Sequence, residues 1–73
     1  ADPWELRGDA ERAASQRDAA RRSYRRALDL DPNDWRLWYD LGVTSRGAER
    51  REALARATRL NPLAREILGL HGR

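Results

Sequence analysis

Small and apolar residues recur at helical spacing in several separate stretches of this chain. Side chains three and four positions apart share one face of an α-helix, whereas a strand alternates at every second position. The helical spacing occurs at Ala20, Tyr24, Ala27 and Leu28; at Trp35, Trp38, Leu41 and Gly42; at Ala53, Leu54, Ala57 and Leu60; and at Leu63, Ala64, Ile67 and Leu68. Because no stretch shows strand alternation, the pattern predicts an all-α fold.

Proline, glycine and short polar side chains mark where these helices begin and end. The predicted N-caps are Asp2, Ser15, Asp34 and Asn61, and the predicted breaks are at Pro32, Gly47 and Pro62. The resulting helices cover residues 3–14, 16–30, 34–46, 48–60 and 62–70. Every connection is short, so we expect successive helices to be antiparallel neighbours.

The chain also repeats itself. Trp4 and Trp38 lie 34 residues apart, as do Gly8 and Gly42. Residues 27–32 recur as 57–62, at an offset of 30, so the second copy is four residues shorter. We expect one domain over residues 1–73, with one repeat over 1–34, a shortened repeat over 35–64 and a capping helix over 62–70. The shortfall is expected to divide equally between the end of the third helix and the start of the fourth.

These positions resemble the tetratricopeptide repeat (TPR), whose signature is a tryptophan, leucine-glycine, small and aromatic positions and a closing proline. The matching residues are Trp4, Gly8, Ala20, Tyr24, Ala27 and Pro32 in the first copy, and Trp38, Leu41 and Gly42 in the second. Residues that depart from the signature are Arg7, Glu11, Ser45 and Arg50. The resemblance implies two antiparallel helical hairpins with a C-terminal capping helix, a fragment of an α-solenoid, in which the aromatic residues pack.

A finer resemblance concerns the origin of the segment. Residues 31–35, 41–42 and 60–62 are similar to soluble TPR segments of bacterial O-antigen ligase or polymerase-like membrane proteins. The chain also begins without methionine and leads directly into a helix signal. We therefore expect a piece of a larger protein, whose catalytic machinery would lie elsewhere.

Composition leaves little room for chemistry within these 73 residues. The chain has no cysteine and one histidine, His71, so neither a zinc site nor a thiol or histidine-based catalytic set can be assembled. No glycine-rich phosphate loop is present, and no apolar run has the length of about 18 residues that a membrane span needs. The sequence predicts no enzyme, no cofactor and no metal.

The arginines raise an alternative function. All 15 cationic residues are arginine, and Arg21, Arg22, Arg25 and Arg26 form the densest group, on the predicted second helix. A nucleic-acid-binding helical domain could use such a helix against phosphates. Asp18 and Asp29 share its exposed face, however, and are spaced for ion pairs with Arg22 and Arg25. A self-neutralised, solvated face, without nucleic acid, is the favoured interpretation.

The family resemblance places binding on the first helix of each hairpin, which lines the concave face. The candidate protein-binding residues there are Glu5, Asp9 and Arg12, followed by Arg36, Tyr39 and Val43. Ordinary surface residues are the competing interpretation. Chaperone tails are disfavoured ligands, because acids and a tyrosine occupy the positions where the family uses lysine and asparagine. We expect a scaffold or adaptor module that binds a protein or peptide segment, or other parts of its parent, with a homodimer through the open repeat ends as a further possibility.

Overall fold

The computed structural model describes residues 3–63, and these form four α-helices without a strand. The helices are α1 (Pro3–Ala13), α2 (Arg17–Leu30), α3 (Trp35–Thr44) and α4 (Gly47–Leu60). The predicted all-α fold is confirmed. The predicted fifth helix over 62–70, except for its first two residues, lies outside the described residues, as do the Asp2 cap and His71.

Two of the three predicted caps within the described residues make the expected hydrogen bond. The Asp34 carboxylate accepts from the Arg36 amide at 3.0 Å and begins α3, and the Asn61 side chain accepts from the Leu63 amide at 3.2 Å. The predicted Ser15 cap is wrong. Ser15 adopts a left-handed backbone with φ of 62°, so it terminates α1 instead of starting α2.

Each hairpin closes around a glycine. A Cβ atom on Gly8 would lie 2.8 Å from the Tyr24 ring, and one on Gly42 would lie 2.7 Å from the Leu54 side chain. Side chains this close leave no room for a methyl group, which explains glycine at both sites. The buried apolar residues are Ala20, Tyr24, Ala27, Leu28, Leu37, Leu41, Ala53 and Ala57. Trp4 and Trp38, both half-buried, pack against them, as expected for packing aromatics.

The second hairpin lacks four residues, and all of them are missing between Gly42 and the start of α4. The predicted equal division between α3 and α4 is therefore wrong. Helix α1 continues five residues beyond Gly8, but α3 ends two residues beyond Gly42. The connection shortens by one residue, from 14–16 to 45–46. Helices α2 and α4 both have 14 residues, and their glycine-facing residues, Tyr24 and Leu54, lie equally far from the helix start, so the start of α4 is not shortened.

The helices form two rows. Contacts pair α1 with α2, α2 with α3 and α3 with α4. Arg12 on α1 also forms an ion pair with Asp40 on α3, so these two helices share one surface of the molecule. Arg21 and Arg25 on α2 contact Glu49 on α4, which joins the other row. Within the part of the chain described here, no helix has the length and apolar character that crossing a membrane requires.

Candidate protein-binding surface

The six candidate residues lie on the row formed by α1 and α3. Arg12 and Arg36 are exposed, and the other four, Glu5, Asp9, Tyr39 and Val43, are half-buried. The ion pair between Arg12 and Asp40, at 3.5 Å, connects the α1 part of this surface to the α3 part. Arg36 stacks over the neighbouring Trp35 ring at 5.8 Å. That these residues bind a partner stays a prediction.

Asp9 also has a role inside the hairpin. Its carboxylate accepts a hydrogen bond from the hydroxyl of the buried Tyr24 on α2. Burial raises the pKa of Tyr24, and the bond to Asp9 raises it further, so the phenol stays neutral and remains a donor. A ligand that displaced Asp9 from this bond would leave a buried hydroxyl unpaired, which is costly. We therefore expect Asp9 to act on a ligand through its negative charge and not through a direct contact.

Asp40 belongs to the same surface and was not among the predicted binding residues. Its side chain is 19% exposed, and burial raises its pKa to about 6, although the nearby Arg12 guanidinium lowers it. Asp9, Glu5 and Asp34 raise it as well, because each places a further negative charge near this carboxyl. Its place between the two hairpins is set by tertiary packing, which the helical periodicity did not reveal.

The arginine group on α2 divides into two pairs that face different surroundings. Arg21 contacts Asp18 at 3.1 Å and Glu49 at 2.6 Å, and Arg25 contacts Glu49 as well. The predicted partnerships of Arg22 with Asp18 and of Arg25 with Asp29 are wrong, because Asp18 contacts Arg21 instead and Arg25 contacts Glu49 of α4. Arg26 instead lies over the Trp4 ring, at 5.9 Å from its centroid.

Comparison with known families agrees with the repeat seen in both sequence and structure. A family model for the TPR repeat matches residues 8–44, which is just over half of the chain. The chain belongs to the TPR repeat family. No curated protein and no solved structure matches it.

TPR repeats generally mediate protein–protein interaction, and their helical hairpins typically serve as binding modules rather than as catalytic domains. The matched region begins at the glycine of α1 and ends at the last residue of α3, so it includes both glycine positions and the α2 helix between them. Five of the six candidate residues lie within it: Asp9, Arg12, Arg36, Tyr39 and Val43.

Proposed function

We propose that this TPR segment binds an extended peptide or protein segment on the surface shared by α1 and α3. The observation that carries the proposal is the Arg12–Asp40 ion pair, which makes the two first helices one continuous surface. Tyr39 lies half-buried on that surface, one residue before Asp40. Tyrosine offers a large, stiff contact area with a polar end, and it is among the residues enriched at binding hot spots.

Charge indicates the kind of segment. Asp9 and Asp40 both contact the guanidinium of Arg12, and Glu5 lies near Asp40, so three acids stand against one cation in this part of the surface and leave it an excess of negative charge. Toward the α3 part, Tyr39 and Val43 supply apolar area. A ligand with a basic residue beside an apolar one would complement both parts.

The module is proposed to act as a scaffold in a larger bacterial protein, of the kind that resembles O-antigen ligases or polymerases. Its partner could be another protein or another part of that parent, and a homodimer through the open repeat ends stays a prediction. Nucleic-acid binding through α2 has less support, because Glu49 and Asp18 already contact Arg21 and Arg25.

The test begins with a displayed library of random peptides selected against the folded chain. Enriched peptides are expected to combine a basic and an apolar residue, and their affinities can be measured by titration calorimetry. Tyr39→Ala should weaken binding by more than about 1 kcal/mol, whereas Arg51→Ala, an exposed position on α4, should have no effect. Full affinity in Tyr39→Ala, with loss in Arg21→Ala or Arg25→Ala, would instead place recognition on α2.

A further inference from the structure

A second groove lies between α1 and α2, on residues that the proposed binding surface does not use. It has a volume of about 220 Å³, and its lining residues are Trp4, Arg7, Glu11, Ala19, Arg22, Ser23 and Arg26. The guanidinium carbons of Arg7 and Arg26 lie 5.5 Å and 5.9 Å from the Trp4 ring centroid. The groove therefore combines an indole with three guanidinium groups.

The three arginines of this groove outnumber its carboxylates. Glu11 is its one carboxylate, and it already contacts Arg7 at 3.6 Å and accepts a hydrogen bond from the Ser23 hydroxyl. Among residues 3–63, no carboxylate forms an ion pair with Arg22 or Arg26. This distinguishes them from Arg21 and Arg25, which α4 neutralises through Glu49.

The second hairpin contains the corresponding groove and serves as an internal comparison. Trp38 replaces Trp4, and Arg56 lies over its ring at 5.4 Å as Arg26 lies over that of Trp4. At the repeat offset of 30, however, the position of Arg22 is occupied by Glu52, which lines this second groove. The second groove thus has its own carboxylate where the first has a further cation.

Position 7 shows the same contrast. Arg7 corresponds to Leu41, which is buried in the core of the second hairpin. The first hairpin thus has a cation beside its tryptophan where the second has a core leucine. The differences at Arg7 and at Arg22 add positive charge around Trp4, and they outweigh Glu11 in the first groove and Arg59 in the second, so the first groove remains the more positive.

We propose that the Trp4 groove binds an acidic protein segment, with a carboxylate between Arg22 and Arg26 and a neighbouring apolar side chain against Trp4. Guanidinium groups bind carboxylates through paired, charge-assisted hydrogen bonds, and an indole face offers apolar area beside them. The volume suits one or two side chains. Duplex nucleic acid is the less suitable ligand, because only a few phosphates could reach these arginines.

The probe is a fluorescein-labelled, end-blocked octapeptide with four glutamates and two leucines, and its control has glutamine in place of glutamate. Fluorescence anisotropy with the full chain should show saturable binding of the acidic peptide and binding at least about tenfold weaker for the control. Arg22→Glu, which copies Glu52 into the first groove, should weaken the acidic peptide by at least about tenfold. Arg51→Glu makes the same change in net charge at an exposed site on α4 and should leave the affinity within about twofold.

Circular dichroism must show equal helicity in both variants, and Arg22→Gln provides a neutral substitution should Arg22→Glu fail to fold. Equal weakening by Arg22→Glu and Arg51→Glu would show non-specific charge attraction and overturn the proposal. So would an absence of saturable binding up to millimolar peptide. Tighter binding of a 12-base-pair duplex than of the peptide at 0.15 M salt, lost in Arg22→Glu, would assign the groove to nucleic acid instead.

Discussion

The two hairpins pack their helices together at a glycine in the same way, but the contacts around that glycine are polar in the first hairpin and apolar in the second. In both, a glycine on the first helix admits a large side chain from the second: Gly8 faces Tyr24, and Gly42 faces Leu54. The Tyr24 hydroxyl donates a hydrogen bond to the Asp9 carboxylate at this contact. In the second hairpin, the position that corresponds to Asp9 is Val43, and the large side chain is an apolar leucine.

A second pair of positions changes together in the same way. Glu11 accepts a hydrogen bond from Ser23 across the first hairpin. The corresponding positions of the second hairpin hold Ser45, whose hydroxyl bonds to the Leu41 carbonyl of its own helix, and the buried Ala53. Glycine therefore fixes the close approach of the helices in both hairpins, whereas a polar side chain at the contact needs a partner, either across the hairpin as for Glu11 and Ser23 or on its own helix as for Ser45, since a lone buried polar group is costly.

Substitution of the two glycines should give the largest difference between the hairpins in the free energy of unfolding. Gly8→Ala should destabilise the chain by about 1–3 kcal/mol, because the new methyl meets ring atoms of Tyr24 that are held at the hydroxyl end. Gly42→Ala should cost less, because the Leu54 side chain can rotate away from the new methyl group, whose next nearest neighbour is the Leu54 amide nitrogen at 3.3 Å. The gain in helix propensity, about 1 kcal/mol, is common to both positions. Thermal and urea unfolding monitored by circular dichroism measure both values.

Each glycine variant serves as the control for the other, since the helix-propensity gain is the same. Equal costs at both positions, or a higher melting temperature in Gly8→Ala, would contradict the view that the tyrosine contact is the more rigid of the two.

The second comparison concerns Asp40, which lies between the two hairpins and whose raised pKa makes stability depend on pH. The corresponding residue of α1 is Leu6, which is 56% exposed, whereas Asp40 is largely buried and has a pKa of about 6. Because this pKa lies above the unfolded value of 3.8, folding favours the protonated acid. The corresponding stability is complete below about pH 4 and is lost as the pH rises through 6.

Asp40→Asn removes this titration. The variant should therefore be more stable than the parent at pH 7, by about 1–3 kcal/mol, and the difference should shrink towards pH 4. Urea unfolding at pH 4, 5, 6 and 7 measures it. A variant less stable than the parent at pH 7 would show that attraction to Arg12 outweighs burial of the carboxylate.

The polar pair of the first hairpin can be tested by a double-mutant cycle. Tyr24→Phe keeps the ring but removes the donor to Asp9, and it should cost about 1–2 kcal/mol. Asp9→Ala should leave the buried hydroxyl unpaired at a similar cost. The double variant should cost less than the two single costs combined, by about 1 kcal/mol, because each single change leaves a group without its partner. Additive costs in urea unfolding would show that Asp9 and Tyr24 do not depend on each other.

Much of the fold could be predicted because its signals are local. Helix spacing, the Asp34 cap and the repeat of glycine and tryptophan all lie within one or two helical turns or at a fixed offset. The wrong predictions have two origins: the Ser15 cap fails through the local backbone conformation, whereas the ion pair of Arg25 depends on a contact with a distant segment. Asp18 was expected to pair with Arg22 but pairs with Arg21, and Arg25 was expected to pair with Asp29 but contacts Glu49 on α4.

The candidate surface could be predicted only in part, for the same reason. The helical spacing of the sequence identifies which residues share a face of α1 or α3, but it does not show that Asp9 accepts a hydrogen bond from Tyr24 or that Asp40 contacts Arg12. Both contacts cross between helices. The Trp4 groove also required the structure, because its cations come from two helices.

The turns between the helices give the smallest expected effect and the sharpest local contrast. Each hairpin has one residue with a left-handed backbone in or next to its turn: Ser15 in the first, with φ of 62°, and Gly47 in the second, with φ of 60°. The Ser15 amide donates to the Arg12 carbonyl at 3.0 Å and the Gln16 amide to that of Glu11 at 2.8 Å, a pairing that ends α1 and favours glycine at this position.

Ser15→Gly should therefore stabilise the chain, by about 0.5–1 kcal/mol, because glycine adopts the left-handed conformation without the steric cost of a Cβ atom, and this gain exceeds its larger loss of backbone entropy. Gly47→Ala should destabilise by a similar amount, although the space around Gly47 is open and no clash opposes the methyl group. Ala14→Gly, one residue before Ser15, is the matched control and should not stabilise. A lower melting temperature in Ser15→Gly would show that the serine side chain contributes more to the turn than its strained backbone costs.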